Sequence, residues 1–185
     1  MSAPTLHPGA SPAVGESAGR SLAVDPALRA ELDALYADHA AALDDGRYDD
    51  WVDLFADDCE YLLQPRENFD RGLPLATLAF ESKGMLRDRV YGITRTLFHA
   101  PYYQRHVIGP LRVLSASSAE GGDVLEVQAP YAVFRTRLHE LSEVFSVGRS
   151  IDRVVRDAAD GRLRFARRHV VFDSELIPNS IIYPI

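Results

Sequence analysis

Apolar side chains recur at helical spacing near the start of the chain. Between Asp25 and Gly46 they follow one another at steps of 4, 3, 1, 3 and 4 residues, which is the spacing of one helix face. Asp25 is a suitable N-cap, Pro26 suits the first helical position and Gly46 favours a helix end. The apolar face of this predicted helix consists of Leu28, Leu32, Leu35, Tyr36, His39 and Leu43. A short second helix is predicted to bury Tyr48, Trp51, Val52 and Phe55.

Alternating patterns typical of strands dominate the second half of the chain. Four long runs are predicted as strands over residues 104–115, 123–137, 142–157 and 162–173. Turn signals separate some of these runs, at Gly121-Gly122 and at Asp160-Gly161. Pro130 interrupts one run and predicts a bulge or bend there.

The middle of the chain combines shorter elements. Residues 59–64 predict a strand, and residues 74–81 predict a second short strand. The polar residues 66–72 between them predict a loop, and a third helix is expected over residues 82–98. Because helices precede a series of sequential strands, the order predicts an α+β fold, with a curved, mostly antiparallel sheet wrapped around the N-terminal helices.

The domain organisation follows from length and composition. A chain of 185 residues is long enough for one domain with its own core. Residues 1–24 are rich in Ala, Pro, Ser and Gly and are predicted to form a disordered tail. Residues 25–185 are predicted to form a single α+β domain.

Charge and cysteine content exclude several classes of function. The net charge of −7 disfavours a nucleic-acid or anionic-membrane partner. No apolar run is long enough for a membrane span, and no secretion signal is evident. Cys59 is the only cysteine, which excludes an intrachain disulfide and favours the cytoplasm. One cysteine also excludes a Rieske cluster within this chain, since that cluster takes two cysteines and two histidines.

The charges are unevenly distributed. Residues 25–60 carry 12 acidic and 2 basic side chains, whereas residues 87–168 carry 14 arginines and 9 acidic side chains. Two interpretations remain open. The two regions are solvated faces that partly neutralise each other, or the arginine-rich sheet contacts another protein.

A mononuclear iron site is one candidate for chemistry. His106, His169 and Asp173 could in principle form a site of two histidines and one carboxylate. His169 and Asp173 are an even number of residues apart and would share a strand face. The alternative, that these are hydrogen-bonded sheet residues, is favoured, and no metal is expected.

An acid–base pocket inside the curved sheet is a second candidate. Tyr36, His39, Asp53 and His106 could point into it, and a histidine with a hydrogen-bonded partner suits general acid–base work. Core packing is the competing interpretation of these residues. Cys59 follows two acidic residues, which raise a thiol pKa, so it is interpreted as a small buried side chain.

Several motifs together resemble the small (beta) subunits of aromatic-ring-hydroxylating Rieske oxygenases. They are LFADDCEY at 54–61, GMLRDRVYG at 84–92, YQRHVI at 103–108, YAVFRT at 131–136 and DSELIPNS at 173–180. PRENF at 65–69 and IIYPI at 181–185 are most similar to the small subunits of salicylate 5-hydroxylase and of anthranilate and terephthalate dioxygenases.

The resemblance implies a fold, partners and cofactors. It implies a nuclear-transport-factor-like (cystatin-like) cone and a non-catalytic subunit of an oxygenase acting on a salicylate-like aromatic carboxylate. A large (alpha) subunit would carry a Rieske [2Fe–2S] cluster and mononuclear Fe(II), with electrons from NAD(P)H through separate redox proteins. The small subunits would associate as a trimer that supports the large subunits.

Interface residues are expected among the aromatic and arginine side chains. The candidates are Tyr102, Tyr103, Arg105, Arg149, Arg168, Ile182 and Tyr183. The apolar residues 181–185 would otherwise form an exposed patch, unless they fold back on their own domain.

Two other functions remain open at this point. The same cone could form a stand-alone dehydratase or isomerase that uses Tyr36, His39, Asp53 and His106. It could also be a plain ligand-binding or scaffolding domain, because one fold hosts unrelated functions.

Overall fold

A computed structural model describes residues 20–119, 122–174 and 181–185 of the chain. The helices are α1 (Pro26–Asp44), α2 (Tyr48–Asp53), α3 (Arg66–Asp70) and α4 (Lys83–Tyr91), and α4 continues into a π-helical turn over Gly92–Thr96. The strands are β1 (Phe55–Pro65), β2 (Leu78–Phe80), β3 (Tyr102–Ile108), β4 (Arg112–Ala119), β5 (Gly122–Arg137), β6 (Glu143–Arg156) and β7 (Leu163–Phe172). The predicted α+β order is confirmed.

Helix α1 begins where the sequence predicts it. The Asp25 side chain accepts a hydrogen bond from the Ala27 backbone N–H at 2.8 Å, and Pro26 occupies the first turn. The inward face buries Leu32, Leu35, Tyr36, His39, Ala42 and Leu43. Gly46 follows the helix with a positive φ of 69°, a conformation that glycine adopts without steric cost.

The strands form one sheet within the described residues. Its order is β2-β1-β7-β6-β5-β3, and β4 pairs with the first half of β5. Strands β1 and β7 are parallel, and the other pairs are antiparallel. This confirms the prediction of a mostly antiparallel sheet, and the helices cover its inner face.

The predicted strand over 104–115 is divided in two. Gly109-Pro110 separates β3 from β4, and the two strands pair with successive halves of β5. Pro130 lies where β5 changes partner, and its carbonyl accepts a hydrogen bond from the Gly109 N–H at 2.8 Å. The predicted bulge lies elsewhere, because the register between β5 and β6 shifts between Val133 and Phe134, where Phe145 is the extra residue.

Several other boundaries differ from the sequence prediction, and the strand predicted over residues 74–81 is limited to Leu78–Phe80. The predicted polar loop at 66–72 contains α3, in which Arg66 pairs with Asp70 and Arg71 with Glu67. Phe55 begins β1 rather than ending α2, since β1 starts earlier than residue 59. The third helix ends at Tyr91 and its π-turn ends at Thr96, short of residue 98.

Both chain ends contact the domain where they are described. Residues 1–19 of the predicted disordered tail lie outside the described residues, whereas the Leu22 N–H donates to the Val113 carbonyl at 2.8 Å. At the other end, Ile181 and Ile185 are buried, and the Tyr61 hydroxyl bonds to both backbone groups of Ile185. Residues 181–185 therefore fold back on their own domain.

Candidate functional site

Five polar side chains lie together inside the cone. They are Tyr36 and His39 of α1, His106 of β3, Asp152 of β6 and Arg168 of β7, and all are buried. We call them the inner polar cluster. Three of the four side chains predicted for an acid–base pocket belong to it, namely Tyr36, His39 and His106.

Asp152 and Arg168 form a buried ion pair. One carboxylate oxygen of Asp152 accepts hydrogen bonds from Arg168 Nη1 at 3.0 Å, the Tyr36 hydroxyl at 2.6 Å and the Ser150 hydroxyl at 2.6 Å. The Arg168 guanidinium also lies 5.0 Å from the centre of the Phe165 ring. Burial raises the pKa of Asp152, and the Arg168 charge and the two hydroxyls oppose that shift. Burial and the Asp152 charge raise the pKa of Tyr36 well above its usual value, so its hydroxyl remains a donor.

His39 is fully buried among aromatic rings. Its ring centre lies 5.6 Å from that of Phe165, 6.3 Å from Trp51 and 6.5 Å from His106. Burial, followed by the charges of Arg168 and His106, lowers the pKa of His39 well below its usual value. Neither ring nitrogen has a hydrogen-bond partner among the described residues. His39 is therefore a neutral imidazole in a site closed to solvent.

His106 is held by Asp44, the last residue of α1. The Asp44 carboxylate accepts from His106 Nδ1 at 2.7 Å, from the His106 backbone N–H at 3.0 Å and from Arg105 at 3.1 Å. Both side chains of the Asp44–His106 pair are almost fully buried. In the neutral imidazole, Nδ1 then carries the hydrogen and Nε2 is an acceptor. An acid that orients a histidine in this way is a common arrangement around a general base.

Asp44 was not identified from the sequence, in which Asp53 was the acid considered for the pocket. Asp53 instead lies on the outside, with a side chain that is 77% exposed. Its nearest cation is Lys83, whose ammonium lies 3.9 Å away and donates to the Phe55 carbonyl. The structure therefore does not bring Asp53 together with the inner polar cluster. Asp44 is 62 residues from His106, and no local pattern connects them.

The residues considered for an iron site each have a separate partner. His169 Nε2 lies 2.8 Å from the Gln64 side-chain oxygen, Asp173 pairs with Arg66, and His106 pairs with Asp44. In the described part of the chain, no three or more His, Cys, Asp or Glu side chains are grouped to hold a metal. Burial and Arg167 lower the pKa of His169 to about 4. Burial raises the pKa of the Cys59 thiol to about 11, so Cys59 is protonated at neutral pH.

An open groove of about 450 Å³ lies beside the cluster, between α1 and the connection from β3 to β4. Tyr36 and His106 contribute to its lining, together with Ile108 and Leu111. The ring nitrogen Nε2 of His106 is nevertheless not accessible to solvent. The groove therefore borders the inner polar cluster but does not expose His106 Nε2 to solvent.

The residues predicted for subunit contacts fall into three groups. Tyr103 and Arg105 are exposed on the outer face of β3. Tyr102, Ile182, Tyr183 and Arg149 are half-buried, and the Tyr102 and Tyr183 ring centres lie 4.6 Å apart. Arg168 is the exception and corrects the prediction. It is 2% exposed and paired with Asp152 in the core, so it does not reach a surface contact.

An apolar surface lies on the outer face of the sheet where β3, β5 and β6 are neighbours. Val107 of β3 is opposite Ala132 of β5, and Ala132 is opposite Val147 of β6. In the next row, Phe134 of β5 is opposite Val144 of β6. Tyr103, Val107, Val144 and Val147 are exposed. We call the surface formed by Tyr103, Val107, Phe134, Val144 and Val147 the outer apolar patch.

None of the helices within the described ranges is both long enough and apolar enough to cross a membrane.

Comparison with known proteins gives a consistent result. The family model "Ring hydroxylating beta subunit" matches residues 38–179. The small subunit of anthranilate 1,2-dioxygenase from Burkholderia cepacia is 31% identical over 143 residues, covering 77% of this chain and 85% of the relative.

Solved structures support the same assignment. A protein assigned as the beta subunit of an aromatic-ring-hydroxylating dioxygenase from Novosphingobium aromaticivorans is 33% identical, with a TM-score of 0.72 over 86% of this chain and 97% of that one. Naphthalene 1,2-dioxygenase is 17% identical, with a TM-score of 0.69 over 90% of each chain, and shows the shared fold. The predicted nuclear-transport-factor-like cone is confirmed, and the chain belongs to the family of ring-hydroxylating beta subunits.

Proposed function

We propose that this small subunit of an aromatic-ring-hydroxylating dioxygenase has a structural, non-catalytic role. The outer apolar patch is the observation on which this proposal mainly rests. The inner face of the sheet already covers the core, so the exposed valines and Tyr103 on the other face gain nothing from the folding of this chain alone. Exposed apolar side chains grouped on one face of a subunit are best explained by contact with another subunit.

The charges of the inner polar cluster are paired and its imidazole nitrogens are closed to solvent, which supports a non-catalytic role. The charged groups of Asp152 and Arg168 bond to each other and to neighbouring hydroxyls. His39 and the Nε2 atom of His106 have no access to solvent. A general base must reach the proton that it removes, and these groups do not meet a substrate from outside.

The residues of this chain do not fit a Rieske cluster. Two cysteines are needed, and Cys59 is the only one in the sequence. We therefore assign the Rieske [2Fe–2S] cluster and the mononuclear Fe(II) to the large subunit. Electrons from NAD(P)H reach it through separate redox proteins.

The proposed assembly is a trimer of this chain that supports the large subunits. Tyr103 belongs to the outer apolar patch and Arg105 lies next to it on β3, and they provide the aromatic and arginine side chains that are enriched at interfaces. A cytoplasmic location is part of the proposal, and the unpaired thiol of Cys59 is compatible with a reducing compartment.

The proposed substrate of the complex is an aromatic carboxylate of the salicylate type. The support comes from the relative named for anthranilate, which is an aromatic carboxylate. Substrate choice would lie mostly in the large subunit. Turnover of the assembled complex on salicylate and anthranilate, compared with unsubstituted benzene, tests this part of the proposal. Equal turnover of all three would contradict it.

Assembly is tested with a double variant, Val107→Asp and Val147→Asp. Two carboxylates in the outer apolar patch should reduce the trimer to monomers in light scattering and abolish capture of the co-expressed large subunit. Leu75→Asp, which alters an exposed leucine far along the chain from the patch, is the matched control and should leave both unchanged. A double variant that remains trimeric and still captures the large subunit would overturn the role of the patch.

The non-catalytic role has its own test. The isolated wild-type chain should bind no stoichiometric iron, show no visible absorbance and turn over no aromatic substrate. Stoichiometric iron or turnover by this chain alone would contradict the proposal.

A further inference from the structure

The interior of the cone contains more polar atoms than its side chains satisfy. Several buried nitrogen atoms have no hydrogen-bond partner among the described residues. They include both ring nitrogens of His39, the Nε2 atom of His106 and the Nε1 atom of Trp51. Leaving one such group unpaired costs about 1–3 kcal/mol, and folded proteins usually satisfy buried polar groups with side chains or internal water.

The two histidines are too far apart to bond directly. Their ring centres are 6.5 Å apart. Ring nitrogens lie about 1 Å from their ring centre, so the closest approach of two nitrogens is about 4 Å, beyond the ~3 Å of a direct hydrogen bond. One water that bonds to both nitrogens spans up to about 5.6 Å. The separation of the rings leaves room for a single bridging oxygen where two nitrogens face each other.

The hydrogen-bond donors and acceptors of the two imidazole rings determine which molecule can bind between them. Asp44 accepts the hydrogen bond from His106 Nδ1, so His106 Nε2 is directed away from Asp44 and is left to bond to another group. His39 is neutral and offers one donor and one acceptor. Trp51, whose ring centre is 6.3 Å from that of His39, adds an N–H donor. Donors and an acceptor together suit water, which both donates and accepts.

Other occupants fit less well. The Arg168 guanidinium belongs to the same cluster, so a cation would be repelled. The packed rings of Trp51 and Phe165 around His39 restrict the space to a small molecule.

We propose that the cone contains an internal water site between His39 and His106, in which one water bonds to His106 Nε2 and to a ring nitrogen of His39 or Trp51. The site connects Asp44 at the end of α1 to the interior through His106. It is independent of the proposed role in subunit assembly.

The site is tested in the full chain or its complex. A high-resolution crystal structure should show a water within about 3.2 Å of His106 Nε2 and of a nitrogen of His39 or Trp51. Nitrogen-15 spectra of the imidazoles should show the His106 Nδ1 hydrogen that bonds to Asp44. Proton spectra should show a cross-peak between water and the His39 ring.

Variants distinguish the proposed bridging water from other water bound to the protein. His39→Leu should remove the bridging water and the cross-peak, whereas His139→Asn, which changes an exposed turn histidine with a positive φ, should preserve both. Trp51→Phe removes only one N–H and provides a second variant if the leucine variant does not fold. A wild-type crystal structure with no water at this site, or one in which the Gln104 amide bonds to His39 and His106, would overturn the proposal.

Discussion

The inner and outer faces of β3 and β6 each contain positions with the reverse of the usual polarity. On β3, the inward residues Gln104 and His106 are polar and buried, whereas the outward residues Tyr103 and Val107, on either side of Arg105, are largely apolar and exposed. On β6, Ser150 and Asp152 are buried, while Val144 and Val147 are exposed. A sheet with one face in water normally has the opposite arrangement.

The difference separates two roles within one sheet. Inward polar groups are costly unless they are paired, so Asp152 with Arg168 and Asp44 with His106 specify how the sheet and α1 pack together. Outward apolar groups contribute little to folding and are available for another chain. Mutations on the two faces should therefore differ in what they damage, with folding affected by the inner face and assembly by the outer face.

The buried ion pair should be the most sensitive to substitution. Arg168→Met leaves the Asp152 carboxylate buried and unpaired, and should lower the free energy of unfolding by about 3–5 kcal/mol. Chemical denaturation at fixed protein concentration measures this loss in the free energy of unfolding. Arg167→Met is the matched control, since Arg167 is partly exposed and pairs with Glu60; it should cost no more than about 1 kcal/mol. Equal losses in the two variants would contradict the distinction between the faces.

The second-largest effect is expected from acid, which should destabilise the inner face. Burial lowers the pKa of His169 to about 4 and of His39 well below its usual value, so both histidines resist protonation when folded. The unfolded chain takes up these protons near pH 6.5, and stability is therefore lost as the pH falls below that value. His169 should contribute roughly 2 kcal/mol of this loss by pH 4.5, allowing for partial solvent screening.

Denaturation curves between pH 7.5 and 4.5 test this pH dependence. His169→Gln should flatten the dependence, whereas His139→Asn should not alter it. A wild-type stability that stays constant down to pH 4.5 would rule out the effect.

A smaller effect is expected at the end of α1. Asp44→Asn weakens the bonds to the His106 side chain, the His106 backbone and Arg105, and should cost about 1–3 kcal/mol. The neighbouring Asp45 has an exposed side chain, so Asp45→Asn should change stability by less than about 0.5 kcal/mol. Calorimetry or denaturation compares the two, and a larger loss in the Asp45 variant would refute the role of Asp44.

The same substitution on the two faces of β6 gives the finest comparison. Val154 is fully buried, and Val154→Thr should cost about 1–3 kcal/mol because it buries a hydroxyl. Val144 is 59% exposed, and Val144→Thr should change the stability of the unassembled chain by less than about 0.5 kcal/mol. Denaturation of both variants under conditions that keep the chain unassembled measures the two stability losses. Equal losses would contradict the prediction that only the inner face of β6 is buried in the unassembled chain.

Local signals along the chain are sufficient to predict much of the fold. Asp25-Pro26 and the apolar spacing that follows specify α1, because capping and periodicity are local properties. Alternation and glycine-containing turns predict β5, β6 and β7 to within a few residues. The count of one cysteine is also sufficient to exclude a Rieske cluster within this chain, because it depends on composition alone.

The identity of the polar residues that face the interior depends instead on how distant segments pack. A period of two places neighbouring residues on opposite faces but does not say which face is buried when both carry polar and apolar groups. This is why Arg168 was expected at the surface and instead pairs with Asp152 in the core. It is also why Asp53 was the acid considered for the inner pocket, whereas folding places Asp44 beside His106 from 62 residues away. Contacts between distant segments depend on how α1 packs on the sheet, and no local pattern records that packing.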